Sequence, residues 1–326
     1  MTIAIDVHLS TDQAAAMEVD VREGLTRAQK ELSPKYFYDE RGSQLFEAIT
    51  ELEEYYPTRR ERQILVERSP EIIAAAGNPA TLIELGSGSA SKTRHLLDAM
   101  RDAGTLQTYV PVDISEEITR ETAAALVEEY PGLDVHGLVC DFEADLERTP
   151  TTTERGPRLI AFLGGTIGNL YPDERAAFLS RIAALLDPTD HLLLGTDLVK
   201  DVDRLELAYD DPAGVTAEFN KNVLRVLNRE LGADFDLATF EHVARFDEEH
   251  EWIDIGLRSL VDQDVHLEAL DLTVHFDQGE ILRTEISTKF TRPRLEESYA
   301  GTGLKMANWF TDPAEDYALS LARLAG

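Results

Sequence analysis

The stretch from Thr81 to Arg94, with the sequence TLIELGSGSASKTR, constrains the fold more than any other part of the chain. An apolar run of strand length is followed by a glycine turn and then by a helix-like segment. Such a turn brings backbone N–H groups close to a ligand at the helix N-terminus, because Gly86 and Gly88 have no Cβ in the way. An ordinary strand–turn–helix corner without a ligand has the same pattern and stays open as an alternative.

The same stretch lacks the features of two common nucleotide-binding turns. Ser91 stands where the dinucleotide pattern G-x-G-x-x-G needs its third glycine, and the Gly-Lys-Ser/Thr of a P-loop is missing. Glu84, two residues before the first glycine, suits a sulfonium-bearing cofactor better than a pyrophosphate. The stretch resembles motif I of S-adenosylmethionine (SAM) methyltransferases, and SAM is therefore the cofactor that we expect.

Strand-like runs and helical patterns alternate from residue 58 to residue 196, which predicts a parallel sheet with crossover helices. The predicted strands lie at 81–85, 107–112, 134–139, 158–163 and 190–196. The predicted helices lie at 58–76, 91–103, 115–129 and 173–186. Before them, residues 1–30 predict a tail followed by an amphipathic helix.

The pattern changes after about residue 198. The remaining predicted elements are a long helix at 213–231 and antiparallel strands near 241–258, 266–276 and 281–290. They are followed by the stretch Leu304–Trp309 and then by a helix to the C-terminus. The last two are expected to return to the first sheet.

We therefore expect an α/β fold made of two domains. A Rossmann-like SAM-methyltransferase core comprises residues 58–198 plus 290–326. A second α+β domain comprises residues 10–57 plus 199–289.

Charge and composition exclude several classes of protein. The chain has 326 residues, with 31 Lys and Arg against 62 Asp and Glu, a formal net charge of −31. Such a surface repels phosphate backbones and anionic membranes, so we expect neither nucleic acid nor a membrane as a partner. A single cysteine, Cys140, points to a reducing compartment. Without a signal-peptide pattern or an apolar run of about 18 residues, we expect a cytoplasmic protein.

Polar and aromatic residues follow the predicted strands, at the sheet edge where ligands of open α/β folds bind. Asp113 closes the second strand and can accept both ribose hydroxyls of an adenosine cofactor, as in NAD proteins. Asp141 and Phe142 close the third strand and suit the adenine base. Asn169 follows the fourth in a glycine-rich loop and offers an amino acid a donor and an acceptor. Helix N-caps are the alternative for the aspartates and a turn for the asparagine.

Several stretches together resemble one family, the histidine-specific SAM-dependent methyltransferases that make the Nα-methylated histidine of ergothioneine biosynthesis. The resemblance runs from about residue 20 to the C-terminus. It is carried by Pro34-Lys-Tyr-Phe-Tyr-Asp39, Glu54-Tyr-Tyr-Pro-Thr-Arg59, Glu84-Leu-Gly-Ser-Gly88, Lys92-Thr-Arg94, Phe162–Leu170, Leu193–Asp201, Ala208-Tyr-Asp-Asp211, Phe219-Asn220 and Glu285-Ile-Ser287.

This resemblance implies trimethylation of the α-amine of L-histidine to hercynine with three SAM molecules, by a monomer that needs no metal. It makes the second domain the substrate-binding one. The implied cofactor contacts are Gly86, Lys92, Asp113, Asp141 and Phe142. The implied substrate contacts are Tyr55, Asn169, Tyr209, Ile255, Glu285 and Ser287. Tyr38 and Asn169 are expected to orient the amine during catalysis.

The chemistry of Glu285 and Ser287 agrees with an imidazole. Residues i and i+2 of a strand share a face, and a carboxylate with a hydroxyl can bond both ring nitrogens. An indole has a single N–H and would leave one group unpaired, at a cost of about 1–3 kcal/mol. An exposed strand pair is the alternative. Ile255-Gly256 stands where some relatives have Met-Trp, which leaves fine substrate preference open.

Three other functions fit parts of the same sequence pattern. The first is α-N-methylation of another aromatic amino acid, such as tryptophan, with Ile255 as the suspect residue. The second is an NAD-linked oxidoreductase, which would use neither the glycine-rich loop before Asn169 nor the Glu285 and Ser287 pair. The third is a non-catalytic SAM-binding module. A metalloenzyme is not expected, because the eight histidines are scattered without metal-ligand spacing.

Overall fold

A computed structural model describes residues 2–8, 13–148 and 156–326 of the chain. The chain divides into two compact units. Unit 1 comprises Met1–Leu9, Pro57–Val199 and Phe290–Gly326, and unit 2 comprises Ser10–Tyr56 and Lys200–Lys289. The assignment of one domain to the cofactor and the other to the substrate is a statement about function and stays a prediction.

Unit 1 alternates strands and helices. Its strands are β1 (Ile3–Val7), β2 (Thr81–Leu85), β3 (Thr108–Asp113), β4 (Asp134–Val139), β5 (Arg158–Phe162), β6 (His191–Asp197), β12 (Leu304–Thr311) and β13 (Tyr317–Leu324). Its helices are α3 (Pro57–Ala75), α4 (Arg94–Asp102), α5 (Glu116–Glu129), α6 (Phe142–Asp145), α7 (Pro172–Leu185) and α10 (Arg292–Ala300).

The eight strands form one sheet in the order β1-β4-β3-β2-β5-β6-β13-β12. The first six run parallel, whereas β13 lies antiparallel between β6 and β12. The predicted parallel sheet with crossover helices is confirmed, and its arrangement is Rossmann-like. The carboxyl ends of β2, β3, β4 and β5 therefore meet at one edge of the sheet.

Helices cover both faces of this sheet, because successive side chains of a strand point to opposite faces. Leu82 packs with Ile64 of α3 and Leu96 of α4 on one face. Its neighbour Ile83 packs with Leu179 of α7 on the other. All these side chains are fully buried, so unit 1 has an apolar layer on each side of the sheet.

Unit 2 is an α+β unit with its own core. Its helices are α1 (Gln13–Thr26), α2 (Glu40–Thr50), α8 (Val202–Tyr209) and α9 (Val215–Glu230), and its strands are β7 (Phe240–Asp247), β8 (Trp252–Ser259), β9 (Gln263–Leu267), β10 (Leu272–Phe276) and β11 (Ile281–Thr288). Antiparallel β11, β8 and β7 form one sheet, and β9 pairs with β10. Leu224 and Leu227 of α9 and Ile253 of β8 lie in one apolar cluster.

Two predictions at the chain ends are wrong. The predicted C-terminal helix is the strand β13, which pairs with both β6 and β12 inside the sheet. The predicted tail contains the edge strand β1, which pairs with β4.

Between these ends, the predicted strand at 266–276 is the hairpin of β9 and β10. Residues 9–12 and 149–155 lie outside the described chain. Among the described residues, no helix is both long enough and apolar enough to cross a membrane.

Candidate active site

The glycine turn after β2 is held against the end of β3. Gly86 donates its N–H to the carbonyl of Val112 at 2.8 Å, and Gly88 donates its own to Oδ2 of Asp113 at 2.8 Å. Both glycines have a positive φ, 69° and 49°, which a residue with a Cβ rarely adopts. Among the described residues, a Cβ on Gly88 would meet nothing within 4 Å, and one on Gly86 would make only an ordinary contact, 3.8 Å from Cε1 of Phe142. The turn therefore leaves its backbone open to close approach, as a bound cofactor requires.

Asp113 anchors this turn and still has acceptor capacity. It is the last residue of β3, and its other oxygen accepts the N–H of Ser115 at 2.9 Å. Ser115, whose hydroxyl accepts the N–H of Ile118, caps α5, so the N-cap alternative for Asp113 is wrong. An ionised carboxylate can accept about four hydrogen bonds, and the two N–H groups use only half of them. The residue fits a pair of ribose hydroxyls.

Asp141 and Phe142 stand at the end of β4, where the chain enters α6. Asp141 is half-buried and directly precedes the helix. The ring of Phe142 meets the ring of Phe162 edge-on, with centroids 5.4 Å apart, and that of Phe178 at 6.3 Å. These contacts fix a flat apolar surface beside the glycine turn, which suits a purine base.

The side chain of Lys92, an expected cofactor contact, is largely buried and held by a carboxylate. Its ammonium forms an ion pair with Glu61, whose side chain is fully buried. The same glutamate accepts the N–H of Gly164 at 2.7 Å and the hydroxyl of Tyr317 at 3.0 Å. A Cβ on Gly195 would lie 2.4 Å from Oε1 of Glu61, so only glycine leaves room for this carboxylate.

Glu61 is a residue that the sequence interpretation missed. It ties the lysine after the first glycine turn to the glycine-rich loop after β5. A signal for it was present: Glu61 lies three and four residues before Ile64 and Leu65 and so shares the apolar face of α3. A charged residue on an apolar helix face is buried only with partners.

The glycine-rich loop after β5 turns sharply at two consecutive glycines. Gly164 and Gly165 have φ values of 80° and 73°, and a 3₁₀ turn, Thr166–Asn169, follows. Asn169 is half-buried and ends this turn. The loop thus places an amide side chain at the carboxyl end of β5, next in the sheet to the end of β2.

Glu84 is directed into the interior of unit 1 and is only 4% exposed. Its two oxygens accept hydrogen bonds from the hydroxyls of Thr93 and Tyr109. Burial raises the pKa of the Glu84 carboxyl to about 7, although these two hydrogen bonds and Lys92 act to lower it. Glu84 therefore links the strand before the glycine turn to Thr93, which follows the turn, and to Tyr109 of β3. These hydrogen bonds, rather than a contact with a sulfonium, account for its position.

The raised pKa of Glu84 makes a prediction about stability. The folded chain holds the proton of Glu84 more tightly than the unfolded chain does. The stabilisation that this gives to the folded state is therefore full below about pH 4.5 and is lost as the pH rises through about 7. We expect the free energy of unfolding of the wild type, measured relative to Glu84→Gln, to fall by about 2 kcal/mol between pH 5.5 and pH 8. Urea titrations of both proteins measure this, and a difference that does not change with pH would contradict it.

Unit 2 contains a cluster of aromatic rings, which includes three residues that the sequence interpretation selected. Tyr38 meets Phe46 and Phe219 edge-on, with centroids 5.7 and 5.5 Å apart. Phe46 contacts Tyr55 at 6.4 Å, and Tyr55 contacts Tyr209 at 6.0 Å. The structure therefore brings Tyr38, Tyr55 and Tyr209 into one group of rings.

Tyr38 is 46% exposed as a whole residue, but its phenol oxygen is desolvated. This burial, together with the charge of Glu285 and with Tyr209, raises the pKa of the Tyr38 hydroxyl far above its ordinary value. The pKa of the Tyr38 hydroxyl depends on the surroundings of its oxygen and not on the exposure of the ring. Tyr38 is therefore a neutral phenol at physiological pH, and a phenolate base is not available from it.

A β-bulge in β11 brings Glu285 and Ser287, which share a face by simple alternation, to the same face of the sheet as Leu282. Leu282 pairs with Leu257 of β8, but the register shifts between Arg283 and Glu285, so that Glu285 rather than Thr284 pairs with Ile255. Ser287 then pairs with Ile253. Residues directly opposite each other share a face of the sheet. Ile255 is thus the cross-strand neighbour of Glu285, as its predicted role in substrate preference requires.

Hydrogen bonds join Tyr209 to Ser287 and to a lysine that was not predicted. The hydroxyls of Tyr209 and Ser287 lie 2.9 Å apart, and Nζ of Lys289 donates to each at 2.8 Å. On its other side, the backbone of Tyr209 is fixed by His242, whose Nε2 lies 2.7 Å from the Tyr209 carbonyl oxygen. Nδ1 of His242 lies 2.8 Å from Nδ2 of Asn220.

This last contact assigns the proton on His242. The amide of Asn220 donates to Nδ1, so Nε2 carries the hydrogen and donates to Tyr209. Burial lowers the pKa of His242, which keeps it in this neutral form. Asn220 also donates to the carbonyl of Gly256 at 3.0 Å and so connects α9, β7 and β8 behind Tyr209.

The described residues contain no group of three or more histidine, cysteine, aspartate or glutamate side chains that could hold a metal ion. The predicted residues are instead distributed over two sets. Unit 1 carries Gly86, Lys92, Asp113, Asp141, Phe142 and Asn169, and unit 2 carries Tyr38, Tyr55, Tyr209, Ile255, Glu285 and Ser287. Their individual roles stay predictions.

Comparison with known proteins identifies the family. Two relatives are named histidine N-alpha-methyltransferase, from Mycolicibacterium smegmatis at 54% identity and from Mycobacterium tuberculosis at 50%, each over 99% of both chains. A third, ergothioneine biosynthesis protein 1 of Neurospora crassa, is 31% identical over 98% of this chain and 35% of its own length. The model of a family described as "Histidine-specific methyltransferase, SAM-dependent" matches residues 17–324. The chain belongs to the histidine-specific, SAM-dependent methyltransferase family.

Proposed function

We propose that this protein trimethylates the α-amine of L-histidine to hercynine, the first step of ergothioneine biosynthesis. The observation that carries the proposal is the bulged strand β11, which presents Glu285 and Ser287 on one face, with Ser287 bonded to Tyr209. A carboxylate beside a hydroxyl matches the two nitrogens of an imidazole. The full-length relatives named for the same activity support it.

In this proposal the residues of unit 1 bind SAM, which supplies a methyl group already activated on sulfur. Asp113 accepts the ribose hydroxyls, Asp141 accepts the adenine amino group and Phe142 packs on the base. Lys92, held by Glu61, pairs with the methionine carboxylate. The fit rests on the open turn at Gly86 and on the unused acceptor sites of Asp113.

The substrate contacts in this proposal are those that the family resemblance implies. Asn169 and Tyr209 bind the α-amino acid backbone, Glu285 and Ser287 bind the imidazole, and Tyr55 contributes an aromatic wall. Ile255, opposite Glu285, limits the room beside the ring. Positioning of this kind is the main contribution that a protein makes to a displacement at an activated carbon.

The amine must be neutral when it attacks the methyl carbon. Tyr38 and Asn169 orient it, and because the pKa of Tyr38 is raised, its phenol holds the amine by a hydrogen bond and water removes the proton. As methyl groups accumulate, the amine becomes a quaternary ammonium. The rings of Tyr38, Tyr55 and Phe46 then stabilise it by cation–π contact, worth roughly 0.5–2 kcal/mol.

Replacing the Tyr38 hydroxyl tests its role in orientation. We expect Tyr38→Phe to slow the second and third methylations by about two- to tenfold, the worth of one neutral hydrogen bond, with little change in histidine or SAM affinity. Quenched-flow mass spectrometry of the mono-, di- and trimethyl products measures each step. Tyr36→Phe is the control, since Tyr36 bonds Asp20 instead. Unchanged rates of all three methylations would remove Tyr38 from the mechanism.

Methylation of tryptophan is the second candidate function, because the isoleucine at 255 leaves fine substrate preference open. The presence of Glu285 opposes it, since the single N–H of an indole cannot satisfy both Glu285 and Ser287. The expected monomeric state also stays a prediction.

The stoichiometry of the reaction tests the proposed function. With limiting L-histidine and excess SAM, we expect three molecules of S-adenosylhomocysteine for each histidine consumed. One molecule per histidine would contradict trimethylation, and no turnover of histidine would contradict the function itself.

A further inference from the structure

Asn222 lies in the middle of α9 and is fully buried. Its Nδ2 donates to the carbonyl of Phe37 at 3.1 Å and to Oδ1 of Asp39 at 2.8 Å. A carbonyl and a carboxylate can only accept, so both contacts need the nitrogen of the amide rather than its oxygen. The two residues that Asn222 holds are the immediate neighbours of Tyr38 in the chain.

The segment around Tyr38 is also fixed from α2. Asp39 caps this helix, and its Oδ1 accepts the N–H of Gly42 at 2.8 Å as well as the amide of Asn222. A Cβ on Gly42 would lie 1.6 Å from the carbonyl oxygen of Phe37, so only glycine lets the chain before Tyr38 approach α2 this closely. Two helices therefore hold the backbone on both sides of Tyr38.

The ring of Tyr38 packs on the same side of α9. Phe219 lies three residues before Asn222, so the two side chains share a face of the helix. The ring of Phe219 meets that of Tyr38 edge-on at 5.5 Å between centroids, and Phe46 of α2 meets it at 5.7 Å. Helix α9 thus contacts Tyr38 twice, through Phe219 at its ring and through Asn222 at its backbone.

Stability alone does not explain an asparagine at this position. Its Oδ1 has no hydrogen-bond partner among the residues that the structure describes, and a buried acceptor left unpaired is unfavourable. Asparagine also favours a helix less than alanine or leucine does. The two hydrogen bonds that Asn222 gives to the neighbours of Tyr38 account for its presence.

We propose that Asn222 is a positioning residue for methyl transfer, which sets the direction of the Tyr38 hydroxyl by holding the backbone on either side of it. This inference rests on the proposed function, in which Tyr38 orients the substrate amine. The phenol oxygen lies at the far end of a rigid side chain, so a small rotation of the backbone displaces it more than it displaces the ring. A displacement of about 1 Å can cost up to about 100-fold in rate.

Asn222→Ala removes both donors. We expect it to slow the second and third methylations by about two- to tenfold, as Tyr38→Phe does, with less than a twofold change in the affinity for histidine or SAM. Adding Asn222→Ala to Tyr38→Phe should change these rates by less than about twofold, because the amide acts through the Tyr38 hydroxyl. Quenched-flow mass spectrometry of the mono-, di- and trimethyl products measures each step in all four proteins.

Asn222→Asp separates the donors from the space that they fill, since a carboxylate has nearly the same shape as the amide but cannot donate. It should slow the same two steps. It also replaces the alanine variant if that one does not fold, which the unfolding temperature and the binding of S-adenosylhomocysteine report.

Asn228→Ala is the matched control. Asn228 also lies on α9, where its Nδ2 donates to the carbonyl of Phe235 at 2.8 Å and its Oδ1 accepts the N–H of Phe235 at 3.0 Å. Its loss removes two side-chain hydrogen bonds from the same helix without touching the neighbours of Tyr38. The rates of all three methylations should therefore stay within about twofold of the wild type.

A second measurement reads the surroundings of Tyr38 without turnover. With fluorotyrosine in place of all ten tyrosines, the fluorine resonance of Tyr38 is the one that Tyr38→Phe removes. We expect Asn222→Ala and Asn222→Asp to shift or broaden this resonance, whereas Asn228→Ala leaves it unchanged.

Any of three results would overturn the inference. The first is wild-type rates of all three methylations in both Asn222 variants. The second is a slowing as large in the Tyr38→Phe background as in the wild type, which is the signature of a merely structural asparagine. The third is an unchanged fluorine resonance of Tyr38 in both variants. A wild-type protein that methylates no histidine would instead contradict the proposed function, and the resonance would still test the positioning of Tyr38.

Discussion

Glu285→Ala is expected to lower kcat/KM for L-histidine by roughly 100- to 1000-fold, because it truncates one partner of a charged hydrogen-bonded pair at a desolvated site. The carboxylate of Glu285 lies close enough to Tyr38 to help raise the pKa of its phenol, which places Glu285 at the aromatic cluster. Without it, an imidazole nitrogen has no partner in the protein. The loss should be spread over KM and kcat, since a misplaced ring also misplaces the amine.

The affinity of this variant for SAM should stay within about twofold of the wild type. The proposed SAM-binding residues belong to unit 1, which has its own core, whereas Glu285 belongs to unit 2. Calorimetric titration with S-adenosylhomocysteine measures the affinity, and steady-state kinetics measures the loss. Glu241→Gln is the control, because that glutamate lies on the same sheet and pairs with Arg258. A loss below about fivefold would exclude Glu285 from recognition of the ring.

Asp113→Asn is expected to weaken SAM binding about 100-fold, the second large effect. The carboxylate holds Gly88 and Ser115 by their N–H groups and, as proposed, accepts the ribose hydroxyls with its remaining lone pairs. The amide nitrogen of asparagine cannot accept any of these. In Asp113→Asn, an NH₂ group replaces one carboxylate oxygen and faces the N–H group that this oxygen accepted. Each group left unpaired in this way costs about 1–3 kcal/mol.

Asp134→Asn is the matched control for this variant. Asp134 begins β4 and so lies at the opposite, amino end of the parallel strands, where its carboxylate accepts the hydroxyl of Thr2. It should bind SAM like the wild type. If Asp113→Asn keeps wild-type affinity, or if both variants lose affinity equally, Asp113 does not contact the cofactor.

The part of the fold that could be predicted is the part encoded in local patterns. The strand ending at Leu85, the glycine turn at Gly86 and Gly88 and the aspartate closing β3 all follow from short stretches with strong preferences. The hydrophobic run Tyr317–Leu324 was misassigned because a strand buried on both faces has no alternation to distinguish it from a helix.

The contacts between distant residues could not be predicted in the same way. The shared face of Glu285 and Ser287 was predicted from simple alternation, but the bulge that re-aims them relative to Leu282 depends on pairing with β8. Lys289 and Glu61 are common residue types whose importance comes from partners far away in sequence, such as Tyr209 and Gly164. The family resemblance implied roles only for residues within the matching motifs, and Glu61 and Lys289 lie outside those motifs.

The most direct test of the central claim is mass spectrometry of products from the purified protein incubated with SAM and a mixture of L-histidine, L-tryptophan, L-tyrosine and L-phenylalanine. We expect one product, histidine heavier by three methyl groups, with the other three amino acids unchanged. Methylation of tryptophan or another amino acid in preference to histidine would contradict the role of Glu285 and Ser287 as the imidazole site, and would direct attention to Ile255 and Gly256.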